Sequence, residues 1–531
     1  MTPYKVLVAD KIARVGLTPL LQDARFEVIE KPGLKGEELA KAIQGMDAVL
    51  VRSATKITRE ALALADRLKV IGRAGVGVDT IDVEAATERG IAVMNAPAGN
   101  TIAAAELALA LLLSLIRKVP AADASMRAGQ WDRAKFGGTE LYRKTLGLVG
   151  AGRVGGEVGR RARAFGMRVV AYDPFLTPVA AAEMGAELAD LDTVLKAADV
   201  LSLHVPLTDK TRGMLGAREL ALLKPGAVII NAARGGVLDE GELLRVLREG
   251  RIGGAALDVF DQEPLPADHP FRTLPNVVLT PHLGASTEEA QMNVAVEIAE
   301  SVRGALVDGD YAGAVNAPLV GGERLKRLRP LLELAGRLGR LAAALSGPQV
   351  TEVELRFAGE GDDLLRPLAA GAVMGVLEGV VGSPAVNVVN ALHLARQRGI
   401  AVNRSRVELA AELPDLIEVK VVAGGMAVRV AGAPLGAAHL RITQIHGFRV
   451  NVAPDGHLIV LQNRDVPGVI GRVGTLLGDA GINIAEYHQA RLSAGGEALA
   501  VIGVDAALKP EHVAALARLP EIHAVAQVAF P

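Results

Sequence analysis

A chain of 531 residues is too long for one hydrophobic core and implies roughly three or four domains. Half of it is apolar but only 3% aromatic, the composition of buried parallel strands under helices, while 58 Lys and Arg against 60 Asp and Glu leave a charge of −2. That balance argues against a nucleic-acid or polybasic membrane role, and the absence of cysteine excludes disulfides, thiolate metal sites, iron–sulfur clusters and cysteine nucleophiles.

The opening "MTPYKVLVAD" runs directly into a strand pattern with no apolar stretch of signal length, so a cytoplasmic location is the default expectation. To about residue 100, "KVLVAD", "FEVIE", "AVLVRS", "LKVIGRAG" and "IAVMNAP" alternate with helical patterns, the rhythm of βα units on a parallel sheet. "IAAAELALALLLSLI" (102–116) is too short to span a membrane and carries Glu106; it predicts a buried helix running to about 118. A second series follows: "TLGLVGAG", "RVVAYD", "VLSLHVP", "AVIINAARG", "GAALDVF" and "NVVLTPH". These predict a complete doubly wound sheet, then a helix from Ser286 to about Val307 and a linker, "GDYAGAVNAPLV". Residues 317–452 are again mixed α and β, with no chemical motif, and from about 456 the order βαββαβ predicts a ferredoxin-like domain. The expected fold class is α/β: two Rossmann- or flavodoxin-like doubly wound domains, an α+β segment, and that small terminal domain.

"TLGLVGAGRVGGEVG" sets Gly150, Gly152 and Gly155 as G-x-G-x-x-G between a strand and a helix. The pattern alone is weak, but "MRVVAYD" ends a second strand on Asp173, eighteen residues past Gly155. Glycines allow a pyrophosphate close to the backbone, and the helix start offers free N–H groups. Asp173 suits ribose hydroxyls and repels a 2′-phosphate, which favours NAD over NADP.

Oxidising an alcohol with NAD requires a base near neutral pKa. His282 lies just beyond a strand's carboxyl end, the edge where open α/β sheets bind ligands. Glu263, nineteen residues earlier, is the carboxylate expected to orient it, and Arg234 the planar donor for a substrate carboxylate. Gly235 and Gly236 are expected to leave room beside that arginine. Singly, these residues also read as a helix-capping salt bridge, a solvated loop acid and a turn residue; as a set downstream of a dinucleotide motif they read as a site. No metal site is expected.

"VRSATKIT", "GRAGVGVDTID", "GNTIAAAELALALLL", "LGLVGAGRVGGEVG", "NAARGGVLDE", "ALDVFDQEP" and "TPHLGAST" together resemble the D-isomer-specific 2-hydroxyacid dehydrogenases over about residues 1–310. The tail "LQNRDVPGVIGRVGTLLGDAGINIAEY" is similar to an ACT regulatory domain, which narrows the resemblance to the branch acting on 3-phospho-D-glycerate at the start of serine biosynthesis. The resemblance implies a substrate-binding domain of 1–98 and 283–312, an NAD-binding domain of 99–282, an intervening domain of 317–452 and an ACT domain of 456–531. It implies catalysis by Arg234, Glu263 and His282. Cofactor contacts carry over to Val76, Arg153, Val154, Asp173, Val205, Ala232, Ala233, Arg234, Asp258, His282, Leu283, Gly284 and Ala285. Val76 and Val205 stand where some members have threonine, so only backbone contacts are expected there.

A 3-phosphate needs cations, which Arg52 and Arg73 are placed to supply with the Ser53 hydroxyl beside them; the resemblance implies that Arg133 and Lys135 can reach an adjacent subunit's site. For Arg52 and Arg73 solvated loop charge is the competing reading. Asn100 is both a candidate substrate amide and an ordinary N-cap. In the ACT-like segment Asn463, Asp465 and Asn483 are the candidates for L-serine, against a purely assembling role for that domain. A homodimer or homotetramer is expected, without nucleic-acid or membrane partners. Other family members, such as hydroxypyruvate or glyoxylate reductases, and NAD-sensing corepressors on the same scaffold, are the alternatives.

Overall fold

The computed structural model describes residues 2–318, 323–381, 386–407, 413–436 and 439–530. Five short aliphatic runs, β1 (Tyr4–Val8), β2 (Phe26–Glu30), β3 (Ala48–Val51), β4 (Val70–Arg73) and β5 (Ala92–Asn95), pair in parallel in the order β2-β1-β3-β4-β5. Parallel strands need crossovers that cover both faces, and β3 is accordingly buried at every position. One cover arrives from far along the chain: Val294, Ile298 and Val302 of the Glu288–Asp308 helix pack in one core with Val6, Leu50 and Val70. Gly72 in β4 makes that approach possible, because a Cβ there would sit 2.9 Å from Val302 and 3.0 Å from Ile298.

The second sheet contains β6 (Thr145–Val149), β7 (Arg168–Tyr172), β8 (Glu187–Leu188), β9 (Val200–Leu203), β10 (Val228–Asn231), β11 (Gly254–Leu257) and β12 (Val277–Leu279). Its order is β12-β11-β10-β9-β6-β7-β8, parallel throughout, with the topological switch point between β6 and β9. The two-residue β8 was not expected; it is too short to show a period. The buried helix spans Thr101–Ile116, two residues shorter than expected. Lys118 turns left-handed (φ 53°), and Pro120 opens a separate Val119–Arg127 helix with no buried residue.

The third sheet, β13 (Val350–Ala358), β14 (Ala401–Arg406), β15 (Leu416–Ala423), β16 (Met426–Leu435), β17 (His439–Ile445) and β18 (Phe448–Val452), is antiparallel except between β13 and β14. Helices Glu323–Ser346 and Leu365–Val381 pack on one of its faces. The fourth sheet has β19 (His457–Arg464), β20 (Ile484–Arg491), β21 (Glu497–Val504) and β22 (Ile522–Ala529) in the antiparallel order β20-β21-β19-β22, with helices Val469–Asp479 and Pro510–Ala517 on one face, giving the expected βαββαβ order. Its other face was not legible in the sequence: Leu458, Val460, Leu499, Val501 and Val528 join the core of the third sheet, so the last two sheets share one interior. Among the described residues no helix is long and apolar enough to cross a membrane.

Candidate active site

The glycine loop after β6 has a distinct constraint at each position. Gly150 is left-handed (φ 90°), and a Cβ there would sit 2.6 Å from the His204 carbonyl; a Cβ on Gly155 would run into the Gly150 carbonyl. Gly152 has nothing within 4 Å. The open side of the loop therefore faces the uncapped start of the Arg153–Ala164 helix, where Arg153 and Val154 form the first turn. Asp173, at the end of β7, accepts from Ala151 N (3.0 Å) and Phe175 N (2.9 Å), so the loop itself fixes the acid. A clear cradle, free helix N–H groups and an anchored carboxylate fit a dinucleotide. Val205 follows β9, and Ala232 and Ala233 follow β10, where Ala233 N donates to Asn231 Oδ1 (3.1 Å). The Val76 carbonyl, beyond β4, accepts from Asn95 Nδ2 (2.6 Å).

His282 emerges beyond β12 with φ 56°, a backbone conformation that an L-residue holds only with help. Asp258, fully buried after β11, supplies that help. Its Oδ1 accepts from Thr280 Oγ1 (2.6 Å) and Leu283 N (2.7 Å), its Oδ2 from Gly284 N (3.0 Å), and its carbonyl from His282 N (2.9 Å). Both carboxylate oxygens thus serve the 280–284 turn; Ala285 follows directly. Burial pushes the Asp258 carboxyl up, against these hydrogen bonds and the nearby His282 charge.

His282 Nδ1 lies 2.7 Å from Glu263 Oε2, and Glu263 Oε1 accepts from Phe260 N (3.1 Å). Burial works to raise the Glu263 carboxyl, but the His282 hydrogen bond and charge, the Phe260 amide and Arg234 outweigh it and hold it below the usual range. Nδ1 is thereby engaged, leaving Nε2 for chemistry. Both residues line a cavity of about 730 Å³ with Arg234, Asp79, Lys56 and Arg212.

Arg234 reaches across to the loop after β4. Its Nη1 donates to the Ala233 carbonyl (2.6 Å), its Nε is 3.5 Å from Asp79 Oδ2, and a Cβ on Gly77 would collide with its Nη2. The glycines that follow serve the fold: a Cβ on Gly235 would strike the Phe260 carbonyl, and Gly236 is left-handed (φ 78°). Both glycines still line the cavity beside Arg234, although the space a Cβ on Gly235 would take is occupied by the Phe260 backbone.

Arg73 and Arg52 face the same region. Burial lowers the Arg73 guanidinium to about 10, and the charges of Arg234 and Arg52 add to that effect. Arg73 Nη1 donates to the Ala74 carbonyl (2.7 Å) while its Nε is buried without a partner, and Arg52 Nη1 donates weakly to the Lys11 carbonyl (3.3 Å). Asp10, buried beneath them, accepts from Arg52 N (2.5 Å) and Thr55 Oγ1 (2.8 Å) and shapes the turn that exposes Ser53. Arg73, Arg52 and Arg234 are thus gathered, and the reading of Arg73 as solvated charge does not fit its burial.

Asn100 stands at the N-cap position, but its bridge-region backbone (φ −109°, ψ 6°) turns the side chain away from the helix N–H groups, and its buried Oδ1 has no partner. Glu297 instead accepts from Ala98 N and Gly99 N. Arg133 stacks near Trp131, and Lys135 pairs with Asp132 (3.1 Å). Lys135 also lines a cavity with Val200, Val228 and Val277 at the amino ends of their strands, the edge opposite His282, so within one chain neither residue is brought to the site.

In the fourth sheet Asn463 accepts from Gln489 Nε2 (3.3 Å), and Asp465 takes hydrogen bonds from Arg491 (3.0 Å) and Gly495 N (3.1 Å). Asn483 donates to Asp505 (2.8 Å) beside the Ile484–Val504 pairing, whereas Asn463 pairs with Ala498. These are opposite ends of the sheet, so one chain does not assemble the three residues.

A dinucleotide loop at a switch point, a histidine–carboxylate pair and an arginine across one crevice define the class, a nicotinamide-dependent dehydrogenase. Residues 109–284 match the family model of the D-isomer specific 2-hydroxyacid dehydrogenase NAD binding domain, 327–446 the D-3-phosphoglycerate dehydrogenase intervening domain, and 457–521 the ACT domain. The chain is 42% identical over 506 residues to a D-3-phosphoglycerate dehydrogenase of Synechocystis sp., covering 95% of this chain and 91% of that one. Its identity to that of Bacillus subtilis is 40% over 529 residues, 99% and 100% of the two chains. A solved 3-phosphoglycerate dehydrogenase of Entamoeba histolytica with bound NAD+ superposes with a TM-score of 0.51 at 30% identity, over 59% of this chain and 99% of that one. The chain belongs to the D-3-phosphoglycerate dehydrogenase family of NAD-dependent oxidoreductases.

Proposed function

We propose that this chain oxidises 3-phospho-D-glycerate at C2 to 3-phosphooxypyruvate, the opening step of serine biosynthesis. The observation that carries this reading is the 2.7 Å His282–Glu263 contact in a cavity shared with Arg234, in a chain of this family. The hydride acceptor is NAD held on the Gly150–Gly155 loop. Arg234 holds the substrate carboxylate, and His282 takes the C2 hydroxyl proton at Nε2 as the carbonyl forms. Glu263 fixes the tautomer and stabilises the imidazolium, and the same atoms return the proton in reverse. Arg52 and Arg73 receive the phosphate, whose negative charge relieves their mutual repulsion.

We assign 1–98 with 283–312 to substrate, 99–282 to cofactor, 317–452 to an intervening domain and 456–531 to regulation. The protein acts as a cytoplasmic homodimer or homotetramer in which Arg133 and Lys135 serve an adjacent subunit. L-Serine is the effector, and because Asn483 lies at the far end of the sheet from Asn463 and Asp465, its site draws on two copies. The test follows NADH formation with 3-phosphoglycerate, D-glycerate and D-lactate. A strong preference for the phosphorylated acid is expected, and equal rates on all three would sink the substrate assignment; serine titration with and without residues 456–531 tests the effector.

A further inference from the structure

Arg234 has one edge suited to a carboxylate, and the protein has already placed a carboxylate against it. With Nη1 tied to the Ala233 carbonyl, the two-donor edge left is Nε with Nη2. Nε faces Asp79 Oδ2 at 3.5 Å, and Nη2 lies over Gly77 in the same loop. That loop belongs to the first sheet and Arg234 to the second, so the contact bridges the crevice. Asp79 also sits within electrostatic range of Arg73. It is an exposed anion set among guanidiniums that the proposed substrate's two anionic groups would approach.

We infer that Asp79 is a built-in stand-in for the substrate carboxylate: it faces the Nε–Nη2 edge of Arg234 and must be displaced when substrate binds. Resting on the proposed role of Arg234, this makes Asp79 a specificity-determining residue. A ligand that presents a planar carboxylate beside a second anionic group outcompetes it, whereas a neutral or singly coordinating ligand does not. The displaced side chain has somewhere to go, because Lys56 and Arg212 line the same cavity and have no ion pair among the described residues. With 62% of its side chain exposed, Asp79 can leave at small cost.

The test is Asp79→Asn, which keeps the shape and removes the competing charge. The KM for 3-phosphoglycerate is expected to fall roughly twofold to fivefold, the worth of an exposed ion pair, with kcat within about twofold of wild type. In parallel, calorimetry with oxalate as a bare carboxylate probe, in the presence of NADH, should show the same tightening in Asp79→Asn and none when the change is made in an Arg234→Lys background. Unchanged or weaker oxalate binding in Asp79→Asn, or equal tightening in the Arg234→Lys background, overturns the inference. If the wild type does not turn over 3-phosphoglycerate, the substrate assignment fails, and the oxalate comparison still decides the role of Asp79.

Discussion

Replacing Glu263 by Gln separates charge from geometry at the dyad. The amide oxygen can still accept from His282 Nδ1, the partner at 2.7 Å, so the ring keeps its tautomer, while the amide NH2 replaces the oxygen that accepts from Phe260 N at 3.1 Å and that loop hydrogen bond is given up. What is lost at the ring is the attraction between carboxylate and imidazolium, which exists only once the proton has moved. Two unit charges about 4 Å apart attract by about 4 kcal/mol at an effective dielectric of 20. His282 and Glu263 are 48% and 36% exposed, so screening removes about half, leaving about 2 kcal/mol, or about thirtyfold in kcat. Steady-state kinetics should show that loss in kcat with KM and NAD affinity little changed. The sign of the pH dependence follows from the carboxyl being held below its usual range. The ionised Glu263 contributes fully at and above the ordinary glutamate range and is lost only as the pH falls through its depressed pKa, where variant and wild type should converge. A kcat within twofold of wild type near neutrality would refute the assignment of Glu263 as the group that stabilises the charged histidine.

Four glycine, acid and histidine positions give further checks. Gly152→Ala should raise the KM for NAD with an unchanged Tm, because nothing lies within 4 Å, whereas Gly155→Ala, which drives a Cβ into the Gly150 carbonyl, should cost about 1–3 kcal/mol of stability by thermal melting. Asp258→Asn removes acceptor capacity from Leu283 N, Gly284 N or Thr280 Oγ1 and should cost about 1–3 kcal/mol while lowering kcat, since the left-handed His282 loses its clamp. Burial pushes His204, 2.8 Å from Ser202 Oγ, down to about 4. The unfolded chain therefore binds the extra proton first, and stability falls by at most about 3 kcal/mol as the pH drops from about 6.5 towards 4, a slope that His204→Gln should abolish in urea titrations.

How far the sequence reveals this site depends on how far each residue acts from its own neighbours in the chain. Arg234, Glu263 and His282 were legible because each follows a recognisable strand, and parallel strands deliver their carboxyl ends to one edge. Asp173 was legible for the same reason. Asp258 was named from resemblance, but its grip on residues 280–284 depends on β11 lying beside β12, a pairing that no local period encodes. Asp79 and Asp10 went unnoticed because their partners, Arg234 and Thr55, lie on other elements. Asn100 stands at the helix start as the sequence suggests, but its bridge-region backbone, which no sequence pattern encodes, keeps the side chain from capping. Gly235 and Gly236 are expected from the sequence to leave room beside Arg234, but Gly235 is required by the Phe260 carbonyl and Gly236 by its left-handed backbone, neither of which is visible locally.

The C-terminal half touches the catalytic half where the same reasoning can be tested. Asn387 Nδ2 donates to the Gly90 carbonyl (2.8 Å), just beyond the Val83–Glu88 helix, and its Oδ1 accepts from Val389 N (3.0 Å) and Asn390 N (3.2 Å). His393 lies 4.0 Å from Glu88 alongside. Because the last two sheets share one core, a shift of the ACT-type sheet carries the third sheet with it and reaches this contact. The Val83–Glu88 helix follows directly on the loop that holds Gly77 and Asp79 against Arg234, so the contact adjoins the crevice by only a few residues of chain. Asn387→Asp keeps both turn hydrogen bonds through Oδ1 and replaces the donor to Gly90 by a carboxylate facing a carbonyl. Losing that bond and leaving the acceptor unpaired is worth about 1–3 kcal/mol. Hydrogen exchange should quicken by about tenfold or more in the Val83–Glu88 and Ala391–Gln397 helices together, while the β6–β12 sheet stays protected. If only the Ala391–Gln397 helix quickened, Asn387 would be stabilising its own turn and not joining the two halves.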